Sequence, residues 1–333
     1  MRLALMGAGS LGTILGAFIS EKKEIELIDV NKEHVKALND SGARIVGTIE
    51  KTVPVKAITP EEMEGMYDLV ILLVKQTYNA SAFESLRNHI HDKTIIATLQ
   101  NGFPEPSLID VFGEGRVIGA TVSWGATWQG PGVSELTSDP EKLAFDVGRL
   151  DGKVTEQVEQ VKEVLECMCP AHIAGNLGGT RWAKLLSNAV FSGLSACFGC
   201  TFGEILSDEK LEKLAHYVMK ETIDVGTKWG VTSFEVDGVD LKPYLYFETE
   251  EERVEKAPSY QAFWGPHKLL KASMLQDIEK GRKTEINEIN GLVVHFGKKL
   301  GIETPLNEMI VSIVSRIERK ELEPSLTNLS SFK

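Results

Sequence analysis

The sequence predicts an α/β domain followed by an all-helical domain. In the first half, short apolar runs such as LALM (3–6) and IELI (25–28) alternate with helical patterns, as in a parallel α/β sheet. From Gly178 onward, one helical pattern follows another. A length of 333 residues also fits two domains. We place the boundary at the flexible segment GNLGG, which gives domains 1–174 and 175–333.

The predicted elements follow from this alternation. In the first domain, strands are expected at 3–6, 25–28, 69–74 and 94–99, with helices over 10–21 and 31–42. The later strands RVIGATVS, GVSELT and LAFDVG are expected at the far edge of the sheet, before a helix over 153–166 and a strand near 172–174. In the second domain, helices are expected over 180–196, 208–229, 267–280, 284–300 and 305–320. Segment 234–262 reads as an acidic loop with at most one helical turn.

Charge and hydropathy exclude several classes of partner. The formal net charge is −12 and the pI is about 5.2, whereas nucleic acids and acidic membranes require a basic protein surface. No apolar run reaches the ~18 residues that a membrane-spanning helix needs. The first residues carry one arginine and then glycines, unlike a signal peptide. We therefore expect a cytoplasmic protein that binds neither nucleic acid nor membrane.

The cysteines could suggest a metal or redox site, because Cys167 and Cys169 form C-x-C, and Cys197 and Cys200 form C-x-x-C. Neither pair is completed by a flanking zinc-ligand pattern, and the second pair follows an apolar helix. We interpret all four as buried or half-buried free thiols and predict no metal site.

The segment GAGSLG matches the pattern G-x-G-x-x-G. It comprises Gly7, Ala8, Gly9, Ser10, Leu11 and Gly12. The pattern is weak alone, but here it follows a strand and opens a helix, and Asp29 lies 17 positions after Gly12, at the end of the second strand. In such fingerprints the first glycine permits the turn, the second lets the backbone approach a pyrophosphate, and the third allows close helix–strand packing. The sequence therefore predicts a dinucleotide site.

Other polar residues follow the predicted strands in the same way. Asp29 is placed to accept hydrogen bonds from the ribose hydroxyls of a dinucleotide and to repel a 2′-phosphate. Its alternative role is a helix N-cap, which Asn31 could fill instead. Lys75 follows the strand at 69–74 and Asn101 follows the strand at 94–99, although each alone could be a turn residue. Ligands of open α/β sheets bind at this edge, so we expect these side chains to face one crevice.

In the second domain, the segment RWAKLLSNAVFSG (181–193) places a lysine in an apolar helix. Lys184 and Asn188 are four residues apart and share one helix face, and Arg181, Ser192 and Ser195 are expected to extend this polar stripe. The alternatives are a solvated helix face and a wet cleft lined by neutral hydrogen-bonding groups and one amine.

Taken in order behind the glycine motif, VKQTY, LQNG, RWAKLLSNA and SMLQDIEKGRKTEINEINGLVV resemble ketopantoate reductase over nearly the whole chain. The block SMLQDIEKGRKTEIN is specific to that family, whereas the glycine motif is not. The resemblance implies a nicotinamide-dependent reductase of the pantothenate route to coenzyme A. It further implies an N-terminal Rossmann domain, a helical C-terminal domain and an active site in the cleft between them.

The resemblance also implies roles for particular residues. The family's catalytic lysine falls on Lys184, its asparagine one turn later on Asn188, its substrate-binding serine on Ser273 and the glutamate of its TEI motif on Glu285. Its cofactor-side lysine and asparagine fall on Lys75 and Asn101, and Asn101 is also expected to contact the substrate. Without the resemblance, Ser273 could be a helix N-cap and Glu285 part of a solvated helix face.

The sequence departs from the family at three places. Ser192 replaces a second asparagine and is expected to bind substrate in its place, and segment 234–262 is longer and more acidic than in the family. Asp29 stands where members that use NADPH commonly have a basic residue. We therefore predict that Asp29 favours NADH, while the family usually uses NADPH.

The chemistry of ketone reduction fits these residues. Hydride transfer builds an alkoxide on the carbonyl oxygen, and a lysine in a partly desolvated site can both stabilise and protonate it. Glu285 would hold Lys184 or accept the substrate hydroxyl, and Ser273 would donate to the carboxylate of a 2-oxo acid. A homodimer is left open.

Two rival classes remain from the sequence. An opine-type or glycerol-3-phosphate dehydrogenase shares the two-domain plan, but the candidate catalytic histidines, His216, His267 and His295, lack a partner pattern. A dinucleotide-sensing regulator would be expected to lose Lys184 or Glu285, and both are present.

Overall fold

The computed structural model describes residues 1–236 and 238–332. The chain divides into two compact units, Met1–Leu177 and Gly178–Lys333. The first is α/β and the second is mainly helical, which confirms the predicted fold class.

The strands and helices of the first unit lie close to the predicted ones. The strands are β1 (Leu3–Met6), β2 (Ile25–Ile28), β3 (Ala43–Gly47), β4 (Lys51–Val53), β5 (Lys56–Ile58), β6 (Tyr67–Leu72), β7 (Ile90–Thr98), β8 (Val117–Val122), β9 (Ala126–Gly130), β10 (Val133–Leu136), β11 (Phe145–Gly148) and β12 (Ala171–Ile173). The helices are α1 (Ser10–Ser20), α2 (Lys32–Ser41), α3 (Asn79–Leu86), α4 (Glu105–Phe112) and α5 (Glu156–Leu165).

Within residues 1–177, all of which are described, eight strands form one sheet in the order β12-β11-β8-β7-β6-β1-β2-β5. Its pairs are parallel except β8 with β11. Both faces are buried, because Leu3 and Leu5 belong to one hydrophobic core and Ala4 and Met6 to another. This explains why the strands read as continuous apolar runs.

The prediction for GVSELT is wrong. This segment contains β10, which does not lie at the far edge of the main sheet but in a second sheet, in the order β4-β3-β10-β9. It pairs with β3 in parallel, from Val133 opposite Arg44 to Leu136 opposite Gly47. This partner lies about ninety residues earlier, beyond the reach of local patterns. Helix α1 packs against both sheets and is largely buried.

The second unit contains nine helices within its described part. They are α6 (Leu177–Ser187, beginning at the unit boundary), α7 (Gly193–Phe198), α8 (Phe202–Ser207), α9 (Glu209–Trp229), α10 (Lys242–Leu245), α11 (Glu250–Trp264), α12 (Ser273–Glu279), α13 (Asn290–Leu300) and α14 (Pro305–Glu318). A two-stranded ribbon, β13 (Glu235–Val236) with β14 (Val239–Asp240), interrupts the helices. The helices expected over 267–280 and 284–300 are shorter than predicted, since α12 and α13 begin only at Ser273 and Asn290.

The prediction that 234–262 is an acidic loop is also wrong, because α11 spans fifteen residues of the described chain. Thr249 and Glu252 form a capping box at its start, and the acidic first turn suits the positive end of the helix dipole. Pro258 lies inside the helix and cannot donate to the carbonyl of Val254. Val254 is exposed, so water can replace that bond.

Among the described residues, no helix combines the length and hydropathy required to cross a bilayer. The same part of the chain holds no group of three or more histidine, cysteine or acidic residues that could ligate a metal ion. The cysteines are free thiols, with Cys167, Cys197 and Cys200 buried and Cys169 half-buried. Burial raises the pKa of Cys169 and of Cys200 to about 12, so these thiols are poor nucleophiles at neutral pH.

Candidate functional site

The glycine loop between β1 and α1 depends on the absence of side chains. Gly7 has φ +101°, and a Cβ there would lie 2.5 Å from Val74 N. A Cβ on Gly12 would lie 2.1 Å from Gly7 O, so the start of α1 packs directly on the turn. Around Gly9, no heavy atom of the described chain other than those of residues 8–10 lies within 4 Å of the Cβ position, and no side chain caps α1. The loop is therefore closed toward the sheet and open on its other side.

The glycine loop is held in place by His34, a residue that the sequence analysis missed. His34 Nδ1 accepts a hydrogen bond from Gly132 N (2.9 Å), so the proton lies on Nε2, which donates to Ala8 O (2.6 Å). Thr13 Oγ1 donates to the same carbonyl (2.7 Å). Burial lowers the pKa of His34, while its bond to Ala8 and the charge of Asp29 act in the opposite direction. A neutral imidazole suits this arrangement.

The second sheet holds the loop at a further point, because Ser134 Oγ on β10 donates to Ser10 O (2.8 Å). The Trp128 ring on β9 packs edge-on against His34, with ring centroids 4.5 Å apart. These contacts join residues 94 to 124 positions apart, so no local pattern could have indicated them.

Asp29 follows β2 beside the glycine loop, since Gly7 N and Ala8 N both donate to Ile28 O. Its Oδ1 accepts from Asn31 N (2.9 Å), whereas no group of the described chain donates to its Oδ2. Asn31 caps α2 by accepting from the backbone N–H groups of residues 33 and 34. Asp29 is thus not the helix cap and keeps one carboxylate oxygen for another donor.

The loops after β6 and β7 are tied together by glutamines that the sequence analysis also missed. Gln76 Nε2 donates to Asn101 O (2.5 Å), and Gln100 Nε2 donates to Val74 O (2.8 Å). The end of β6 is tied to β1 in turn, because Val74 N donates to Met6 O. The loop after β7 is therefore linked to the loop after β6, and the loop after β6 is linked to β1.

The sheet order β7-β6-β1-β2 places four predicted features in a row at the carboxyl ends of adjacent strands. These features are Asn101, Lys75, the glycine loop and Asp29. Their roles in binding stay predictions.

In the second unit, the helix of Lys184 is interrupted by a π-turn at Asn188–Ser192 before it continues as α7. Lys184 and Asn188 are half-buried on one face, while Ser192 and Ser195 are almost fully buried. The extra residue in the π-turn rotates all that follows by about 100° relative to a straight α-helix. Ser195, which follows the π-turn and is fully buried, is therefore turned away from the face of Lys184, contrary to the expected polar stripe. Ser192 lies within the π-turn itself, and its place in the stripe and its role in substrate binding stay predictions.

Ser273 and Glu285 do not occupy the alternative positions considered above. Ser273 is the first residue of α12 and makes no capping bond. Helix α12 packs against the π-turn and α7. Glu285 is 6% exposed and lies in the turn before α13, not on a solvated helix face. Both residues stay candidates for substrate contacts.

Trp264, which follows segment 234–262 at the end of α11, packs beside the π-turn. Trp264 Nε1 donates to Ser187 Oγ (3.0 Å), and its ring packs on Phe191 with centroids 5.0 Å apart.

The three histidines considered for an opine-type site lie in different surroundings. His267 and His295 are exposed, whereas His216 is buried against Arg253 and Tyr260.

A Rossmann-type unit with a glycine loop, followed by a helical unit, is typical of dinucleotide-dependent oxidoreductases. Residues 3–151 match the family model of ketopantoate reductase PanE/ApbA, and residues 176–318 match the model of its C-terminal part. The chain belongs to the ketopantoate reductase family, which confirms the resemblance seen in the sequence.

Individual relatives extend over nearly the whole chain. The 2-dehydropantoate 2-reductase of Pyrococcus abyssi is 29% identical over 324 residues, covering 96% of this chain and 99% of its own. The structure of 2-dehydropantoate 2-reductase from Geobacter metallireducens is 26% identical with a TM-score of 0.79, covering 95% of this chain and 99% of its own. D-mandelate dehydrogenase, solved with NADH and anilino(oxo)acetate, shares the fold with a TM-score of 0.80 at 23% identity, covering 96% of this chain and 99% of its own.

Proposed function

We propose that the protein reduces 2-dehydropantoate to pantoate, with a hydride from a nicotinamide dinucleotide and a proton from Lys184. This is a step of pantothenate and coenzyme A biosynthesis. The observation that carries the proposal is the family match over residues 3–151 and 176–318, within which Lys184 and Asn188 share a half-buried helix face.

The residues of the first unit fit a dinucleotide. The open side of Gly9 and the uncapped start of α1 suit a pyrophosphate, because backbone N–H groups at a helix N-terminus favour anions. Asp29 Oδ2 suits a ribose hydroxyl donor. Lys75 and Asn101 follow the neighbouring strands and are assigned to the cofactor with them, and Asn101 also to the substrate.

In the proposed reaction, the bound dinucleotide supplies the hydride that adds to C2 of the 2-oxo acid. Lys184 stabilises the negative charge that develops on the carbonyl oxygen and then protonates it, leaving a neutral amine that regains a proton from water. A half-buried position favours this role, since desolvation of an ammonium makes its proton easier to give.

The other candidates position the substrate. Ser273 donates to the substrate carboxylate, and Asn188 and Ser192 hydrogen-bond its oxygens. Glu285 accepts a hydrogen bond from Lys184 or from the substrate hydroxyl. Charge-assisted bonds of this kind are stronger than neutral ones, which suits groups that must hold a small anion in one orientation.

The test is an absorbance assay of NADH and NADPH oxidation with 2-dehydropantoate, pyruvate, 2-oxoisovalerate and phenylglyoxylate. We expect the highest kcat/KM for 2-dehydropantoate, and chiral chromatography of the product identifies pantoate. Oxidation of neither cofactor with 2-dehydropantoate, together with turnover of another 2-oxo acid, would refute the substrate and keep only the reaction class.

A second candidate function is the reduction of a different 2-oxo acid. Two observations favour this second function. Ser192 replaces the asparagine expected from the family, and the aromatic ring of Trp264 lies beside the π-turn. Phenylglyoxylate in the panel tests whether a substrate with an aromatic group is preferred.

A further inference from the structure

The helix that carries Lys184 changes its backbone hydrogen bonding just after this residue. In a regular α-helix, Gly193 N would donate to Ala189 O, four residues back. Here it donates to Asn188 O, five residues back, and to Val190 O, three residues back, but not to Ala189 O. Ala189 is fully buried, so its carbonyl, released from this bond, requires a partner from elsewhere.

Asn290, the first residue of α13, supplies that partner. Its Nδ2 donates to Ala189 O at 2.8 Å, across 101 positions of the sequence. Gly193 makes the approach possible, because a Cβ there would lie 2.8 Å from Asn290 Oδ1. Asn290 thus donates a hydrogen bond to the π-turn and packs closely against Gly193, the residue that follows it.

Asn290 is itself oriented by a second asparagine and a carboxylate. Its Nδ2 also donates to Asn307 Oδ1 (3.0 Å), and Asn307 Nδ2 donates to Glu221 Oε2 (2.8 Å). Glu221 lies on α9 and also accepts from the backbone N–H groups of Leu306 (2.9 Å) and Asn307 (3.0 Å), at the start of α14.

These bonds fix the direction of every amide in the chain of contacts. Both oxygens of Glu221 accept from N–H donors, so Asn307 must turn its Nδ2 toward Glu221 and its Oδ1 toward Asn290. Asn290 must then present its Nδ2 to Asn307 and to Ala189. Glu221 on α9 therefore determines the orientation of the Asn307 amide, which in turn determines the orientation of the Asn290 amide at the π-turn.

We propose that Asn290, Asn307 and Glu221 are positioning residues, which hold the π-turn and thereby set the direction of Lys184 and Asn188 relative to the rest of the helical unit. The inference rests on the proposed function, which gives Lys184 its catalytic role. If the segment reverted to a straight α-helix, the part that carries Lys184 would turn by about 100° relative to α7.

The experiment compares variants within this network with matched controls outside it. Asn290→Leu removes the donors at similar volume, and Glu221→Gln keeps the shape but disorders the amide directions. Asn287→Leu, at an exposed position three residues earlier, and Glu209→Gln, at an exposed position of α9, are the controls. For each protein we measure kcat, KM for 2-dehydropantoate, the Kd for NADH, the unfolding temperature, and amide hydrogen exchange over 188–194 without substrate.

We expect Asn290→Leu and Glu221→Gln to lower kcat by about tenfold or more, since small displacements of a reacting group carry large rate costs. Hydrogen exchange over 188–194 should be faster, while the Kd for NADH stays unchanged. In the double variant Glu221→Gln with Asn307→Asp, the bond between these two side chains is reversed, but an oxygen at position 307 again accepts from Asn290 Nδ2, so the direction of the bonds from Asn290 onward is kept. This double variant should recover part of the lost kcat, which a purely structural role does not predict.

The inference is overturned if Glu221→Gln matches Glu209→Gln in both kcat and hydrogen exchange, and this variant decides the question if Asn290→Leu does not fold. It is also overturned if the loss of kcat follows the unfolding temperature and the double variant recovers nothing. If the unmodified protein reduces no 2-oxo acid while the variants lose protection over 188–194, the proposed function fails and the hold on the π-turn stands.

Discussion

Asp29 and Asn31 are joined by a hydrogen bond from the backbone N–H of Asn31 to Asp29 Oδ1, at 2.9 Å. This bond fixes the carboxylate at the end of β2 and leaves Oδ2 as an acceptor beside the glycine loop. The orientation bears directly on the choice between NADH and NADPH.

We predict that the protein prefers NADH. The carboxylate can accept charge-assisted hydrogen bonds from ribose hydroxyls, whereas a 2′-phosphate would lose them and meet a like charge. A difference of about 1.4 kcal/mol corresponds to a tenfold preference. Lys32, three residues later, can offset part of the repulsion, so we expect preference and not exclusion. The measurement is kcat/KM for both cofactors.

In Asp29→Ser, the ratio should move toward NADPH by about tenfold or more. Serine keeps an oxygen that can accept from Asn31 N, so the turn is preserved. Asp40→Ser, at an exposed position of α2, is the control. An unmodified protein that already prefers NADPH would contradict the role given to Asp29.

Lys184→Ala should lower kcat by about 10²-fold or more, because general acid catalysis typically contributes that much. The Kd for the dinucleotide should change little, since the predicted cofactor residues belong to the first unit. Lys299→Ala, at an exposed position of α13, is the matched control and should behave like the unmodified protein. Near-normal kcat with a large loss of dinucleotide binding would assign Lys184 a different role.

His34→Phe should weaken binding of NADH and NADPH alike, by about tenfold, because the glycine loop loses its bond to Ala8 O and the contact with Gly132. The aromatic ring can keep the packing against Trp128. Fluorescence titration gives the Kd values, with His172→Phe, at an exposed position of β12, as the control. Unchanged Kd values in His34→Phe would show that the loop holds its shape without this residue.

His216 should make folding of the second unit dependent on pH. Burial and the charge of Arg253 lower its pKa from 6.5 to about 4. Below about pH 6.5 the unfolded chain binds a proton that the folded chain does not, so stability is full above this pH and falls down to about pH 4. The loss is about 3 kcal/mol, at about 1.4 kcal/mol per unit of pKa.

Urea unfolding at about pH 7 and about pH 4 measures this effect as the difference between the unmodified protein and His216→Phe. The variant should lose less stability on acidification, whereas His267→Phe, at an exposed position, should not differ from the unmodified protein. Equal losses in all three proteins would rule out a contribution from His216.

The features that the sequence predicted correctly are local ones. The turn at Gly7, the start of α1 and the polar residues that follow the strands are encoded by neighbours within a few positions, and the structure places them accordingly. The sheet edge then follows, because parallel strands align their carboxyl ends. A helix cap is also a local feature, so the sequence analysis could name Asn31 as the alternative to Asp29 for this role.

The features that the sequence did not reveal depend on distant partners. Pro258 and a run of acidic residues make the sequence of α11 resemble a loop, although the sequence also contains the capping box at the start of this helix. The π-turn has no sequence signature of its own, since it is held by Asn290 from another helix. His34 on α2 likewise gains its role only when β9 and the turn that follows it are brought beside this helix.

The dependence of the glycine loop on the second sheet limits how the chain can be divided. A fragment that ends before Ala126 would contain the whole glycine motif and Asp29. It would nevertheless lack the Gly132 amide that sets the tautomer of His34 and the Ser134 hydroxyl that binds Ser10 O. The dinucleotide motif is therefore not a portable module here: grafted onto another protein without β9 and β10, it would keep its consensus and lose its support.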